Sequence, residues 1–417
     1  MTKAIALSAT LLALGVALAG AAVSRPAAWV QMTGTGAEAR LITDAANCPP
    51  ALVDDVPRAM IQRAGPNAAF PGRVCAVTLR PADRRLVVEG QALRAPSRQI
   101  DHIVVIGDTG CRIKGSGVQR CNDPGGWPFA RIAALAAARK PDLVIHVGDY
   151  YYRETACPPG NAGCAGSPYG DRWTTWKAEL FDPAQPLLVA SPWVFARGNH
   201  EDCKRGGAGW FRQIDAAPVV KTCPSDSDTF AVDLGRVRLM IVDSAGTEDL
   251  IAPVELVAAF AARLAGLKTS PDRAPVWMVT HRPVWNSSRL GNLVGDGVIN
   301  ATERKAVKGA DLSAVTMIVS GHVHNFSSLD FGGERPSQLV MGASGDSLDL
   351  DGAPPPATGR ARVDGVKADI FTMGRFGYFL LDRHGRDWIG RFFDTNDRVS
   401  ATCRLHARRL VCAAPKA

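Results

Sequence analysis

The sequence predicts an α/β fold whose sheet carries ligand-bearing loops along one edge. Three observations predict it. Short apolar, β-branched runs recur along the chain, helical segments separate several of them, and five of the runs end in a side chain able to bind a metal ion. Strands of one sheet end along one edge, so residues more than 200 positions apart can converge there.

Residues 1–22 read as a secretory signal, with Lys3 at the charged start, Ala4 to Leu18 as the apolar core and Ala19-Gly20-Ala21 as the cleavage site. The alternative is an uncleaved membrane anchor, since the core is about long enough to span. Residues 23–99 read as a linker, to about residue 47, and a small β-rich accessory segment with strand-like runs at Val74 to Leu79 and Arg85 to Glu89. The main domain is expected over 100–395, with a disulfide-containing tail over 396–417. Its strand candidates are His102 to Ile106, Leu143 to Val147, Val194 to Ala196, Val237 to Val242, Val276 to Val279 and Val315 to Val319. Gln338 to Met341, Gly377 to Leu381 and Trp388 to Phe393 follow. Helices are expected over Pro128 to Arg139 and Pro253 to Leu267, the second with proline in its first turn. The tract from Asp351 to Gly359 reads as a surface loop.

Ten cysteines fall into five neighbouring pairs, Cys48 and Cys75, Cys111 and Cys121, Cys157 and Cys164, Cys203 and Cys223, and Cys403 and Cys412. An even count in an exported chain reads as disulfides, with sequential pairing expected, and without a CxxC spacing a thiolate zinc site is disfavoured. Export places the protein in the periplasm or outside the cell. The net charge is +8, and loss of Lys3 with the signal leaves 8 − 1 = +7. That excess favours anionic small molecules. The basic residues are scattered without aromatic interleaving, so nucleic acid is not specifically indicated as a partner. Nothing in the sequence fixes an oligomeric state.

The five strand ends read IGDTG with Asp108, VGDYYY with Asp149 and Tyr152, ARGNHED with Asn199 and His200, VTHRP with His281, and VSGHVHN with His322 and His324. Four have glycine just before the ligand, which permits a tight turn. His322 and His324 are expected on one face of an extended segment. Two carboxylates, a phenol, an amide oxygen and three imidazoles form a hard to borderline donor set. It suits Fe(III) beside Zn(II), Fe(II) or Mn(II). A central carboxylate can bridge two such ions, as two-metal phosphoryl chemistry requires. A structural protein has no need of seven such donors at strand ends.

The ordered series GDTG, GDYYY, GNHE, THRP and GHVH resembles the calcineurin-like metallophosphoesterase superfamily, and within it the purple acid phosphatases. Asp-x-Gly at Asp108 to Gly110 and a tyrosine three residues after Asp149 select that branch. The resemblance covers roughly residues 100–395 and implies a two-sheet β-sandwich flanked by helices. By position it implies that Asp108, Tyr152 and His324 bind one metal, that Asp149 bridges, and that Asn199, His281 and His322 complete the second. His200 would protonate the leaving oxygen. THRP departs from the pattern by lacking a glycine before His281, and Tyr150 and Tyr151 flank the expected Tyr152. The remaining histidines, His102, His146, His384 and His406, read as structural. Asp243 reads as a loop anchor and Arg282 as a surface salt bridge.

The expected activity is hydrolysis of phosphate monoesters, as in acid phosphatases, with metal-bound hydroxide as nucleophile. The alternative on the same metals is a phosphodiesterase acting on cyclic nucleotides or phospholipid headgroups. A further one is a non-catalytic exported protein that binds metal or phosphate.

Overall fold

The computed structural model describes residues 26–115, 117–268, 274–349 and 354–415. The expected signal segment lies outside the described residues. Among these, no helix is long and apolar enough to cross a membrane.

Two large sheets face each other. At the centre of an eleven-stranded sheet, Leu143–His146 lies parallel to both His102–Ile106 and Pro192–Phe195. In the eight-stranded partner, Arg238–Ile241, Val276–Val279 and Val315–Ser320 are likewise parallel neighbours. The apolar runs of these strands follow from burial on both faces. Ile103, Val105 and Ile145 meet Leu239, Val279 and Val319 between the sheets. Val104, Ile106 and Val144 point outward, beneath the helix Phe129–Ala138 and the segment ending in the helix Asp182–Ala190. Met240, Val276 and Met278 do the same on the far side, covered by the helix Val254–Leu264. The layers are therefore helix, sheet, sheet, helix. In Phe129–Ala138 the buried residues Phe129, Ile132, Ala133 and Ala136 make one helical stripe. Full burial of Phe129 contributes about 2–3 kcal/mol.

The ends of the chain differ from the sequence expectation. The linker reading of residues 23–47 fails because Ala27–Thr33 and Gly36–Thr43 are strands. Ala27–Thr33 lies parallel to Pro192–Phe195, and Trp29 is fully buried against Phe181 and its neighbours. Large apolar residues, Trp29, Val30, Met32, Leu41 and Ile42, form these strands among the alanine, glycine and threonine that gave the segment its linker-like composition. Arg73–Leu79 and Ile61–Ala64 continue the same sheet outward. A small four-stranded sheet, containing Ala51–Val53 and Arg85–Val88, packs beside it as the accessory piece. The C-terminal strands Val399–His406 and Arg409–Ala413 extend the opposite flank. Part of the tract read as a surface loop is also a strand, Ala357–Val363, while residues 350–353 lie outside the described residues. All five disulfides pair sequential cysteines, as expected.

One buried carboxyl makes the stability of this frame depend on pH. Glu303, in the short helix Ala301–Ala306, is fully buried and accepts a hydrogen bond from Thr247 Oγ1. Burial pushes its pKa from 4.5 up to about 7, and Arg282 and Thr247 offset this only in part. The folded state thus holds a proton that the unfolded chain releases between pH 4.5 and about 7. Its stabilising contribution is complete below that window and is lost as the pH rises through it. Glu303→Gln should gain up to roughly 3 kcal/mol relative to the parent at pH 8 compared with pH 4. Urea unfolding at both pH values checks this, and an equal difference at the two would refute it.

Candidate metal centre

The five motif strands end beside one another, although not on one sheet. Asp108, Asp149 and Asn199 come from the eleven-stranded sheet, and His281, His322 and His324 from its partner. The centre therefore spans the seam of the sandwich. Asp108, Asp149 and His322 adopt left-handed φ values of 53°, 59° and 68°. Each such residue stores about 1–3 kcal/mol of strain. The extended segment expected for His322 and His324 is instead a tight reversal, with Val323 N bonded to Gly321 O at 2.8 Å and Asn325 N to Val323 O at 2.7 Å. In this left-handed conformation His322 Nδ1 meets Asn199 Oδ1. His281, which lacks a preceding glycine, borrows space from another strand. A Cβ on Gly148, whose φ is 105°, would fall 2.5 Å from His281 Nδ1.

All seven expected ligands meet in two groups that share Asp149. In the first, the Tyr152 hydroxyl lies 3.2 Å from Asp108 Oδ1, 2.8 Å from Asp149 Oδ2 and 3.0 Å from His324 Nε2. His324 Nε2 is also 3.3 Å from Asp108 Oδ1. In the second, His281 Nε2 lies 3.1 Å from Asp149 Oδ2 and 2.9 Å from Asn199 Oδ1. His322 Nδ1 is 2.9 Å from that same amide oxygen. Ligand atoms of Asp149, His281 and His322 fit within 4.8 Å of one another, a span suited to one ion. The other tyrosines turn away. Tyr150 stacks on His146 and donates to Ala196 O at 2.8 Å, and Tyr151 stacks on Trp176.

The electrostatics call for cations. Against the opposing effect of burial, the carboxylates of Asp149 and Asp108 raise His281 to about 9, and Asp346 with Asp108 raises His324 to about 10. The same field would hold metal ions in place of those protons. Burial, then the charges of Asp149 and Asp108, push the Tyr152 hydroxyl well above its usual 10. Its phenolate therefore needs a strongly polarising ion. His146 is a core residue, driven well below its usual range by burial and bonded to Thr109 Oγ1 at 2.9 Å. His102 pairs with Asp382 and His406 with Asp387, away from the centre.

His200 packs its ring on Tyr152 with centroids 3.9 Å apart, and its Nδ1 lies 2.8 Å from Glu154 Oε1. Its backbone N donates to Asp149 Oδ1 at 2.9 Å. Asp243 does anchor loops, accepting from Ser227 N and Ala245 N. Arg282 is not a surface residue. It is buried and pairs with Asp249 at 2.7 Å.

Several supporting residues escaped the sequence reading. Glu201 accepts from Tyr150 N at 2.8 Å, Tyr151 N at 3.0 Å, Asp149 N at 3.1 Å and Gly198 N at 3.0 Å, so one carboxyl fixes two ligand loops. It is the last residue of the GNHE motif, and that position was its only sequence signal. Glu179, on a π-helical turn Lys177–Phe181, accepts from Cys111 N and Tyr152 N and joins the first two loops. Asp346 receives Arg112, whose guanidinium lies 5.1 Å over the Tyr152 ring. Asp346 follows a strand and a glycine, like the motif carboxylates, and could have been found by that sign.

A family model for calcineurin-like phosphoesterases matches residues 102–326, more than half of the chain. Among solved structures, the chain is similar to purple acid phosphatase PPD1 from yellow lupin (Lupinus luteus) seeds. That likeness has a TM-score of 0.57 and 13% identity, over 93% of this chain and 74% of that one. It is also similar to PhoD, with a TM-score of 0.53 and 11% identity over 94% of this chain and 92% of that one. At such identities the likenesses show the fold. Comparison with curated proteins finds no match.

Glu201→Ala would strand four backbone N–H groups beneath the centre. A loss on the order of 3–5 kcal/mol is expected, with weaker metal retention than in the parent. Thermal unfolding with metal analysis of dialysed protein measures both, and parent-like values would contradict the anchoring role.

Proposed function

The chain belongs to the calcineurin-like phosphoesterase family and is a phosphoric ester hydrolase, and from that premise we propose that it cleaves phosphate monoesters at a dinuclear metal centre. The observation that carries this reading is the pair of donor groups sharing Asp149. Asp108, Tyr152 and His324 would hold one ion, Asn199, His281 and His322 the other, with Asp149 between them. The donors fit such ions: the oxygens and imidazoles are hard to borderline, and Tyr152 supports Fe(III) beside Zn(II), Fe(II) or Mn(II). When bound, the ions supply Lewis-acid activation of the phosphoryl group and of the attacking water.

The chain's own residues do the rest. Buried carboxylates at the centre keep the imidazoles and the phenol oriented. His200, braced by the Tyr152 ring and by Glu154, is placed to protonate the leaving oxygen. The glycine-lined turns leave no room for a side chain over the centre: a Cβ on Gly198 would sit 2.1 Å from Asp149 Oδ1. Five disulfides support an exported protein, whether released after cleavage of residues 1–22 or anchored by them.

Purified protein should contain two metal ions and absorb in the visible through tyrosinate bound to Fe(III). Tyr152→Phe should remove that band, and chelation should abolish hydrolysis. A colourless, fully metallated and active protein would exclude the ferric assignment. His200→Ala should slow turnover by about 10²–10⁴-fold for alkyl esters, and less for aryl esters with good leaving groups. Faster cleavage of a bis-aryl than of a mono-aryl phosphate would replace the monoesterase reading with a diesterase one.

A further inference from the structure

Three imidazoles face the centre, and each has its rear nitrogen held by an oxygen. His281 Nδ1 lies 2.8 Å from the Val147 carbonyl oxygen, and His324 Nδ1 lies 2.8 Å from that of Ser347. His322 is held differently. Its Nε2 lies 3.1 Å from a carboxylate oxygen, Asp249 Oδ1. A proton kept on the rear nitrogen leaves the lone pair on the facing one, which for His322 is Nδ1, beside Asn199 Oδ1. Of the three hydrogen-bonded braces this is the one made by a side chain, while Asp346 Oδ2 stands farther off, 3.5 Å from His324 Nδ1.

Asp249 belongs to none of the five motifs. It stands on the loop between the strand Arg238–Ile241 and the helix Val254–Leu264, about one-third exposed at the rim of the centre. The carboxylate is nevertheless fixed from behind. Arg282 Nε donates to Asp249 Oδ1 at 2.7 Å, while Arg282 Nη1 donates to the carbonyls of Ser244 at 2.9 Å and Ala245 at 3.1 Å. Ala301 N donates to Asp249 O at 2.9 Å, and Thr302 Oγ1 donates to Ile251 O at 3.3 Å, so the loop backbone is pinned to the next helix. The guanidinium offsets the charge of Asp249, leaving the carboxylate able to orient His322 without adding net charge to the rim.

We infer that Asp249 is a positioning residue that sets the tautomer and ring orientation of His322 as a ligand of the second metal ion. The inference rests on the dinuclear reading above. A carboxylate that merely tied the loop down would affect stability and leave the affinity of the second metal equivalent alone. Carboxylates behind metal-binding histidines are worth about 10–100-fold in metal affinity.

The test is calorimetric titration of the metal-free full chain with Zn(II), alongside the visible spectrum of the Fe(III)-loaded protein. The parent should take two equivalents. Asp249→Ala should bind the first as the parent does and the second about 10–100-fold more weakly. Its tyrosinate band should be unchanged, which also shows that the chain has folded. Asp249→Asn, which keeps an acceptor oxygen, should lose less. Parent-like binding of both equivalents by Asp249→Ala would overturn the inference alone, as would equal losses in the two variants. A parent that takes a single equivalent would overturn the dinuclear reading as well.

Discussion

The carboxylate of Asp149 is the constraint to which the rest of the centre answers. It is buried, left-handed, and occupied on both oxygens: Oδ1 accepts the His200 amide, and Oδ2 lies against the Tyr152 hydroxyl and His281 Nε2. A buried charge without compensation would be ruinous to stability. The surrounding histidines and amides are thus required for the fold to tolerate it as much as for chemistry. Glu201 beneath it fixes the approach of two loops, and its own pKa is pushed up to about 8 by burial and by Asp149. Charge at the centre and backbone geometry under it are therefore one problem, solved by the same few residues.

Much of this was legible in the chain. Parallel strands buried on both faces announce themselves as apolar runs, and the loop residues that follow them stand out because glycine and a polar ligand interrupt that pattern. All seven expected ligands gather at strand ends, although these belong to two facing sheets and not to one edge as expected. What the sequence hid falls under three physical causes. Glu179 and Asp249 act from elements remote in sequence, and only the tertiary fold brings them to the centre. In residues 27–43 the buried Trp29, Val30, Leu41 and Ile42 that mark strands are diluted by alanine, glycine and threonine, whose abundance suggested a linker. The local conformation of His322 was also misjudged, since a left-handed residue breaks the alternation that an extended reading assumes.

The three oriented imidazoles also show how backbone and side chains divide the work. Carbonyls at strand and loop ends brace His281 and His324, so those two orientations follow wherever the fold forms. The brace on His322 is a carboxylate on a half-open loop, held by an arginine from the neighbouring motif. The orientation of His322 is thus the one that a substitution at Asp249 can alter.

The flanks of the eleven-stranded sheet have a further consequence, for the order in which the chain can fold. His102–Ile106 is sandwiched between Leu143–His146, which is near in sequence, and Gly377–His384, which is some 270 residues away. Ala27–Thr33 waits for Pro192–Phe195 in the same manner. Contacts of such separation form slowly, because the intervening loop must close before they are rewarded. One edge of His102–Ile106, which leads directly into Asp108, stays unpaired until Gly377–His384 is available. Assembly of the centre is thereby deferred until the far strand Gly377–His384 is in place.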